Sequence, residues 1–277
     1  MEPDRLHRQI FRDGSRTFSN ASRLFPRAQR RDVTTLYAFV RVADNLVDEP
    51  PVRPEEFYAF RDRWRTAWSG RPVDDWIIDP FVALSRRVGI EPSWIEDFLS
   101  AMESDLQPRP CDSIDDVLKY TWGSAEVIGL CMLKILGVGD HAQPTARLMG
   151  RSMQFINFLR DVAEDCSLGR RYLPLRGGLT ELSRQAAEAD PERFRGFLRG
   201  WSDVYRGWQR GAAQGYGFLP RRFRWAIKTA SDLYNWTAAK IDRDPMEVWR
   251  RKIKPSRLRV LVTAAVNLFS LPPAAKP

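Results

Sequence analysis

Apolar residues recur at steps of three and four along most of the chain, and no stretch alternates apolar with polar residues as a half-buried strand does. The spacing predicts a helix over 32–49, with Leu36, Phe39, Val40 and Val47 on its apolar side. Ahead of it, Phe18, Leu24 and Phe25 read as core contacts, and Ser15 or Thr17 as a helix cap beside basic residues. The loop PPVRP follows, then a helix over 55–69 whose Phe57, Phe60, Trp64 and Trp68 share a core-facing side. Shorter helices are predicted over 81–88, closed by Gly89, and over 94–106, opened by Pro92-Ser93. Glu96, Asp97, Glu103 and Asp105 of the second read as a solvated acidic surface.

A long helical pattern covers 114–136 and carries the small residues Gly123, Ser124, Ala125 and Gly129. Small residues admit either a second helix or a thin hydrocarbon chain at close range, and spacing does not choose between them. Another long helix is predicted over 145–166, then a loop over 167–178. A short amphipathic helix with Phe194, Phe197 and Leu198, a helix over 201–217 and a core helix over 222–241 complete the pattern. The prediction is an all-α protein, one domain over 1–277, with about ten helices packed as a bundle around a cavity.

Composition adds an apolar interior and a cationic exterior. Ten Trp and fifteen Phe supply large apolar walls, and the net charge of +9 calls for an anionic partner. Nucleic acid, an anionic membrane surface and a phosphorylated substrate all qualify. No helix-turn-helix signature, RNA-recognition motif or zinc-finger spacing is present, which argues against nucleic acid. The run RRKIKPSRLR at 250–259, followed by apolar residues to 271, suits a membrane surface or a lid over phosphate, and a solvated end fits it as well. Cys111, Cys131 and Cys166 match no metal-ligand spacing and point to a reducing compartment. The charged N-terminus lacks a signal-peptide core, and no apolar run reaches ~18 residues. The expected location is cytoplasmic, with peripheral attachment at the inner membrane surface; nothing sets the oligomeric state.

The candidate chemistry is carboxylate chemistry. There is no Gly-rich phosphate loop, and His7 and His141 are the only histidines, so a Ser-His-Asp site finds no support. On the helix over 32–49, Asp44 and Asp48 stand four residues apart on one face, with Arg41 and Tyr37 a turn and two turns back. Taken alone, that pair reads first as a solvated patch at a helix end. On the helix over 145–166, Gln154, Asn157, Asp161 and Asp165 form a polar stripe among Met153, Phe155, Ile156, Phe158, Leu159 and Val162. Burying such a stripe is costly unless partners or a metal satisfy it. Two helices facing each other in a bundle can aim both stripes into one cavity, where four carboxylates call for cations. Oxygen-only ligands favour Mg²⁺, with Mn²⁺ as the substitute ion, and Mg²⁺ takes its remaining ligands from water and substrate phosphates. The stripes, the arginines and the aromatic content therefore describe a ligand with a diphosphate head and a long apolar tail.

The segments SRTFSNASRLFP, LYAFVRVADNLVDE, YTWGSAEVIGL and QFINFLRDVAEDCSLGRRYLP resemble the signature segments of the squalene/phytoene synthases. The resemblance runs from about Ser15 to Arg259 and implies the all-α isoprenoid synthase fold. It further implies head-to-head condensation of two prenyl diphosphates through a cyclopropyl diphosphate. Two geranylgeranyl diphosphates giving phytoene come first, and two farnesyl diphosphates giving squalene, dehydrosqualene or presqualene diphosphate second, with NADPH required only for squalene. By similarity, Asp44 with Asp48 and Asp161 with Asp165 hold the metal, supported by Asn157 and Gln154. Tyr37, Arg41, Tyr120, Arg170, Tyr172, Arg251 and Arg259 match positions around the diphosphates, and Ser15, Arg16 and Phe18 the N-terminal substrate segment. Gly123 to Gly129 matches the helix lining the hydrocarbon tunnel. Two positions depart from the pattern: Asn45 stands where many relatives have Asp, and Arg259 where many have Lys. Outside catalysis, the alternative is a non-catalytic helical subunit that binds prenyl diphosphate or membrane.

Overall fold

The computed structural model describes residues 3–14 and 25–270, with side chains at 5–11 and 25–270. Ser15, Arg16, Thr17, Phe18 and Leu24 lie outside the described residues. Every regular element among those described is a helix. The first half comprises α1 (Pro3–Gly14), α2 (Arg27–Asp48), α3 (Pro54–Trp68), α4 (Ile78–Val88), α5 (Pro92–Ser104), α6 (Ile114–Thr121) and α7 (Val127–Leu136). The second half comprises α8 (Gln143–Arg160), α9 (Val162–Ser167), α10 (Arg184–Ala189), α11 (Pro191–Ala213), α12 (Arg221–Arg243) and α13 (Arg257–Phe269). None of the described helices is long and apolar enough to cross a membrane.

Local chemistry accounts for most boundaries. Gly89 closes α4 with φ +74°, in the left-handed region where a Cβ is disfavoured. Ser113 and Asp116 form a reciprocal capping box that starts α6. Pro191 opens α11, and the carboxylate of Asp190 accepts from the amide of Arg193.

Three departures from the sequence pattern shape the site. The pattern over 114–136 is broken by a π-helical turn, Trp122–Glu126, between α6 and α7. The helix over 145–166 stops at Arg160; Asp161 takes φ −100°, ψ 17° and α9 resumes beyond it. The helices read separately around 194–198 and 201–217 are one continuous α11.

The apolar faces form two cores. One lies mainly among α2 to α5 and α7, where Phe39 stacks on Phe81 at 4.0 Å between centroids. The other is built chiefly from α8, α11 and α12, around Phe155, Leu159, Leu198, Tyr205 and Ile241. Phe57, Phe60 and Trp64 are buried as predicted, and Phe25 packs edge-on against Phe223.

The small residues of the long pattern serve helix packing. A Cβ on Gly123 would lie 2.4 Å from the Asp97 carbonyl oxygen, one on Gly129 2.4 Å from that of Ala146, and one on Gly150 2.3 Å from that of Ala125. At Gly123 and Gly129, of the two occupants that the sequence leaves open, the close neighbour is a helix. Beneath the π turn, buried Glu126 receives Arg147 Nε at 2.9 Å and Arg151 Nε at 2.7 Å, which ties α8 to it. Gly150→Ala is therefore expected to force backbone apart from backbone. Overpacking of this kind costs about 1–3 kcal/mol, and a thermal melt should show Tm lowered by about 2–5 °C.

Candidate active site

The two aspartate stripes meet at the seam between the cores. On α2, Arg41 Nη1 donates to Asp44 Oδ2 at 2.6 Å. Tyr37, one turn back, lies tilted against Phe11, with ring centroids 4.4 Å apart. Burial raises its hydroxyl to about 12, with the charge of Arg41 opposing and that of Asp44 adding. At the end of the helix, buried Arg170 reaches in from the loop after α9. Its Nη1 donates to Asp48 Oδ1 at 2.5 Å, and its Nη2 to the Val47 and Asp105 carbonyls at 3.0 and 3.3 Å. The Arg170 amide is bonded to the Asp165 carbonyl at 2.8 Å, so one residue joins both stripes.

On the other side, Asp161 is gripped by its neighbour Arg160 through Nε at 2.9 Å and Nη2 at 2.5 Å. Lys252 Nζ approaches the same carboxylate at 3.3 Å and also pairs with Glu164. The break at Asp161 separates it from the regular course of α8, on which Asn157 stands one turn and Gln154 two turns earlier. Asn157 Oδ1 is buried with no partner, and so is Asn45 Oδ1 on α2.

A third carboxylate completes the seam. Asp105 was expected on a solvated surface; it is only 6% exposed. Tyr120 donates to its Oδ2 at 2.7 Å and Tyr172 to its Oδ1 at 2.9 Å. The Tyr172 ring stacks on Phe158 at 4.5 Å, and that of Tyr120 lies 4.8 Å from Tyr172. These rings form an apolar wall next to the carboxylates. The other acidic residues of the helix are half-exposed and partnered rather than freely solvated: Glu96 and Glu103 pair with Arg61, while Asp97 accepts from the Trp122 indole at 2.8 Å.

Electrostatics shows how crowded the seam is. Burial, then the charge of Asp48, pushes Asp44 up to about 7. Burial, then the charge of Asp161, pushes Asp165 up to about 8, and Asp48 adds to the shift from the opposite stripe. Asp105 rises to about 6 by burial, against the hydrogen bonds from Tyr120 and Tyr172. Positive charge is short here even with Arg41, Arg160, Arg170 and Lys252 in place.

Among the described residues, no group of three or more His, Cys, Asp or Glu side chains is gathered to hold a metal by itself. The donors nonetheless fit Mg²⁺. They are oxygens only, each stripe brings two carboxylates, and the Asn157 amide oxygen is partnerless. A hard cation that draws other ligands from water and phosphate suits such a set.

Two residues that the resemblance places at the diphosphates are not brought into these contacts. Arg251 is exposed and bonded to Glu247, and Arg259 lies with its guanidinium 5.0 Å above the Trp236 ring. Lys252, between them, is the tail cation that touches the stripe. Nothing in the basic run singled it out, and nothing in the acidic helix singled out Asp105; both depend on how distant elements pack.

Residues 11–259 match the Squalene/phytoene synthase family. The chain belongs to that family. It is an enzyme, a prenyltransferase, and the activity that membership brings is head-to-head prenyl condensation. The chain is 28% identical over 271 residues to a 15-cis-phytoene synthase of Pantoea ananas, covering 91% of this chain and 87% of that one. It is 30% identical over 259 residues to a 15-cis-phytoene synthase of a Paracoccus strain, covering 88% and 84%. Among solved structures, a dehydrosqualene synthase in complex with a ligand superposes with TM-score 0.87 at 18% identity, covering 97% of this chain and 96% of the other. A squalene synthase of Alicyclobacillus acidocaldarius gives TM-score 0.78 at 22% identity, covering 87% and 93%. These neighbours carry the isoprenoid synthase fold, and the helical architecture of this family member is the same.

Proposed function

We propose that the chain joins two geranylgeranyl diphosphates head to head to give phytoene. The observation that carries the reading is the meeting of the two stripes, where Arg170 holds Asp48 and is anchored beside Asp165. The phytoene synthases among its relatives support the substrate.

Asp44, Asp48, Asp161 and Asp165, with Asn157, would hold Mg²⁺. When bound, Mg²⁺ supplies Lewis-acid neutralisation of diphosphate charge. The protein's own residues do the rest. Arg41, Arg170, Arg160 and Lys252 are placed to take up phosphate oxygens, trading their present carboxylate partners for the leaving group. Gln154 adds an amide on the same stripe. The loss of diphosphate leaves an allylic cation, and the faces of Tyr120, Phe158 and Tyr172 stabilise positive charge without offering a nucleophile. Asp105 accepts from both phenols and so fixes the orientation of these rings. Attack by the double bond of the second substrate, with loss of a proton to the departed diphosphate as the ring closes, gives the cyclopropyl diphosphate; a second loss of diphosphate, rearrangement and loss of a second proton give the linear product. The apolar walls keep water from the cation.

The test is product identity. The purified protein, given geranylgeranyl diphosphate and Mg²⁺, should release a C40 hydrocarbon with the mass of phytoene, with or without NADPH. Turnover of farnesyl diphosphate alone to a C30 product would replace the C20 reading with the C15 one, and added NADPH would then separate squalene from dehydrosqualene. No product from either would favour a non-catalytic subunit.

The crowded carboxylates also predict a pH dependence. Asp44 and Asp165 have raised values when folded, so the native state holds protons that the unfolded chain releases, and stability falls as pH rises from about 4 towards about 8. Metal-free protein should therefore melt a few degrees lower at about pH 8.5 than at about pH 6. Mg²⁺ should raise Tm more at the higher pH. Equal effects of Mg²⁺ at both would detach the ion from these carboxylates.

A further inference from the structure

The last helix is inside out. In α13 the buried position is Asn267, 1% exposed, held by Lys228 at 2.9 Å and by its own amide to Asp232 at 2.7 Å. The outward positions are apolar: Leu258 is 70% exposed, Leu261 68% and Phe269 87%, with Val262 and Val266 also open. At 100° per residue, positions 258, 261, 262, 266 and 269 fall within one side of the helix, so they form a single stripe on the side away from the body. Trp225 Nε1 donates to the Ala264 carbonyl at 2.7 Å and helps to fix which side faces out. A soluble helix buries such a stripe; this one presents it, and an exposed apolar patch of this kind marks an interaction site.

We infer that α13 lies in the interface of an anionic membrane, with the Leu258–Phe269 stripe among the acyl chains. Charge selects this occupant. By helical geometry Arg257 and Arg259 flank the stripe, and Lys252 and Lys254 precede them; a basic flank beside an apolar stripe is the pattern of an interfacial helix on acidic lipid. A second copy of the chain would bring like charges together, in a protein that already carries +9. The family match ends at Arg259, so nearly all of the stripe lies outside it. The docking would also place the site: Lys252, which touches Asp161, is five residues before the first turn of α13, at most ~18 Å of extended chain. On the prenyl-diphosphate reading, the substrate heads would then be met at the lipid surface.

The experiment is vesicle sedimentation of the full chain, without substrate, so its outcome is independent of the proposed reaction. Phosphatidylcholine vesicles containing phosphatidylglycerol should bind the protein at least about ten-fold better than phosphatidylcholine alone. Leu261→Ser/Phe269→Ser should reduce that binding at least about ten-fold, with Tm and turnover in detergent micelles unchanged, since both side chains are exposed. Lys254→Gln/Arg257→Gln should weaken it and flatten its salt dependence. Binding unchanged by the serine pair, or absent from wild type, overturns the inference. So does equal binding to neutral vesicles, or a dimer in light scattering that the serine pair dissociates, which would identify a second copy as the partner.

Discussion

Asp44→Ala and Asp161→Ala should each abolish turnover, by at least about a thousand-fold, the scale on which a preorganised charge-stabilising group acts. Neither should unfold the protein. Asp44 sits above its usual range because burial and the charge of Asp48 oppose its ionised form. Removing it relieves that opposition at the cost of one contact with Arg41. Tm should accordingly hold or rise, as at sites where function is kept at the expense of stability. At Asp161 the loss is larger, since Arg160 gives up two hydrogen bonds, but Lys252 keeps Glu164. Product formation and a thermal melt on the same preparation decide the matter. Turnover near wild type in either variant, with Mg²⁺ present, would sink the metal assignment.

Arg170→Met should lose both activity and stability. The guanidinium is buried and serves Asp48 and the carbonyls of Val47 and Asp105. Methionine fills much of the space but leaves three acceptors without a donor. Breaking a buried pair from one side costs about 3–5 kcal/mol; Asp48 is partly open to water, so the lower end applies. For a chain of this size that corresponds to a Tm lower by roughly 5–7 °C. Arg170→Lys keeps the charge without the fork and should recover stability only in part. A melt unchanged in Arg170→Met would mean that the two stripes are held together by something else.

What the sequence makes legible is what short-range periodicity carries. The helix with Phe57, Phe60 and Trp64, the αL stop at Gly89 and the two Asp-x-x-x-Asp stripes are all visible as spacing. The signature segments then connect the stripes to a family. The unseen features come from long-range packing. Asp105 looks no different from Glu103 in the chain, yet one is buried against two tyrosines and the other pairs with Arg61 at the half-exposed edge of the helix. Lys252 is one cation of a run, and only the path of the tail brings it to Asp161. The break after Arg160 falls within an unbroken apolar pattern, because Val162 goes on being buried after the backbone has turned. Periodicity cannot show a turn that leaves periodicity intact.

The π turn at Trp122–Glu126 makes the aim of Tyr120 a matter of counting. A π turn holds one residue more than an α turn at the same place. Deleting a single residue there would relax it to ordinary helix and leave the flanking helices almost in their present phase, because the wide turn already absorbs the extra residue; losing a residue from the regular helix on either side would instead rotate what lies upstream by about 100° relative to the rest. Since α7 and α8 are locked at Gly129 and Gly150, the rotation from such a loss in regular helix would fall on α6, and Tyr120 would swing off Asp105. In evolutionary terms the segment is a buffer: it is where a change of length by one can be taken up locally, whereas the same change in the regular helix beside it is a phase error that disconnects the aromatic wall from the carboxylates in a single step.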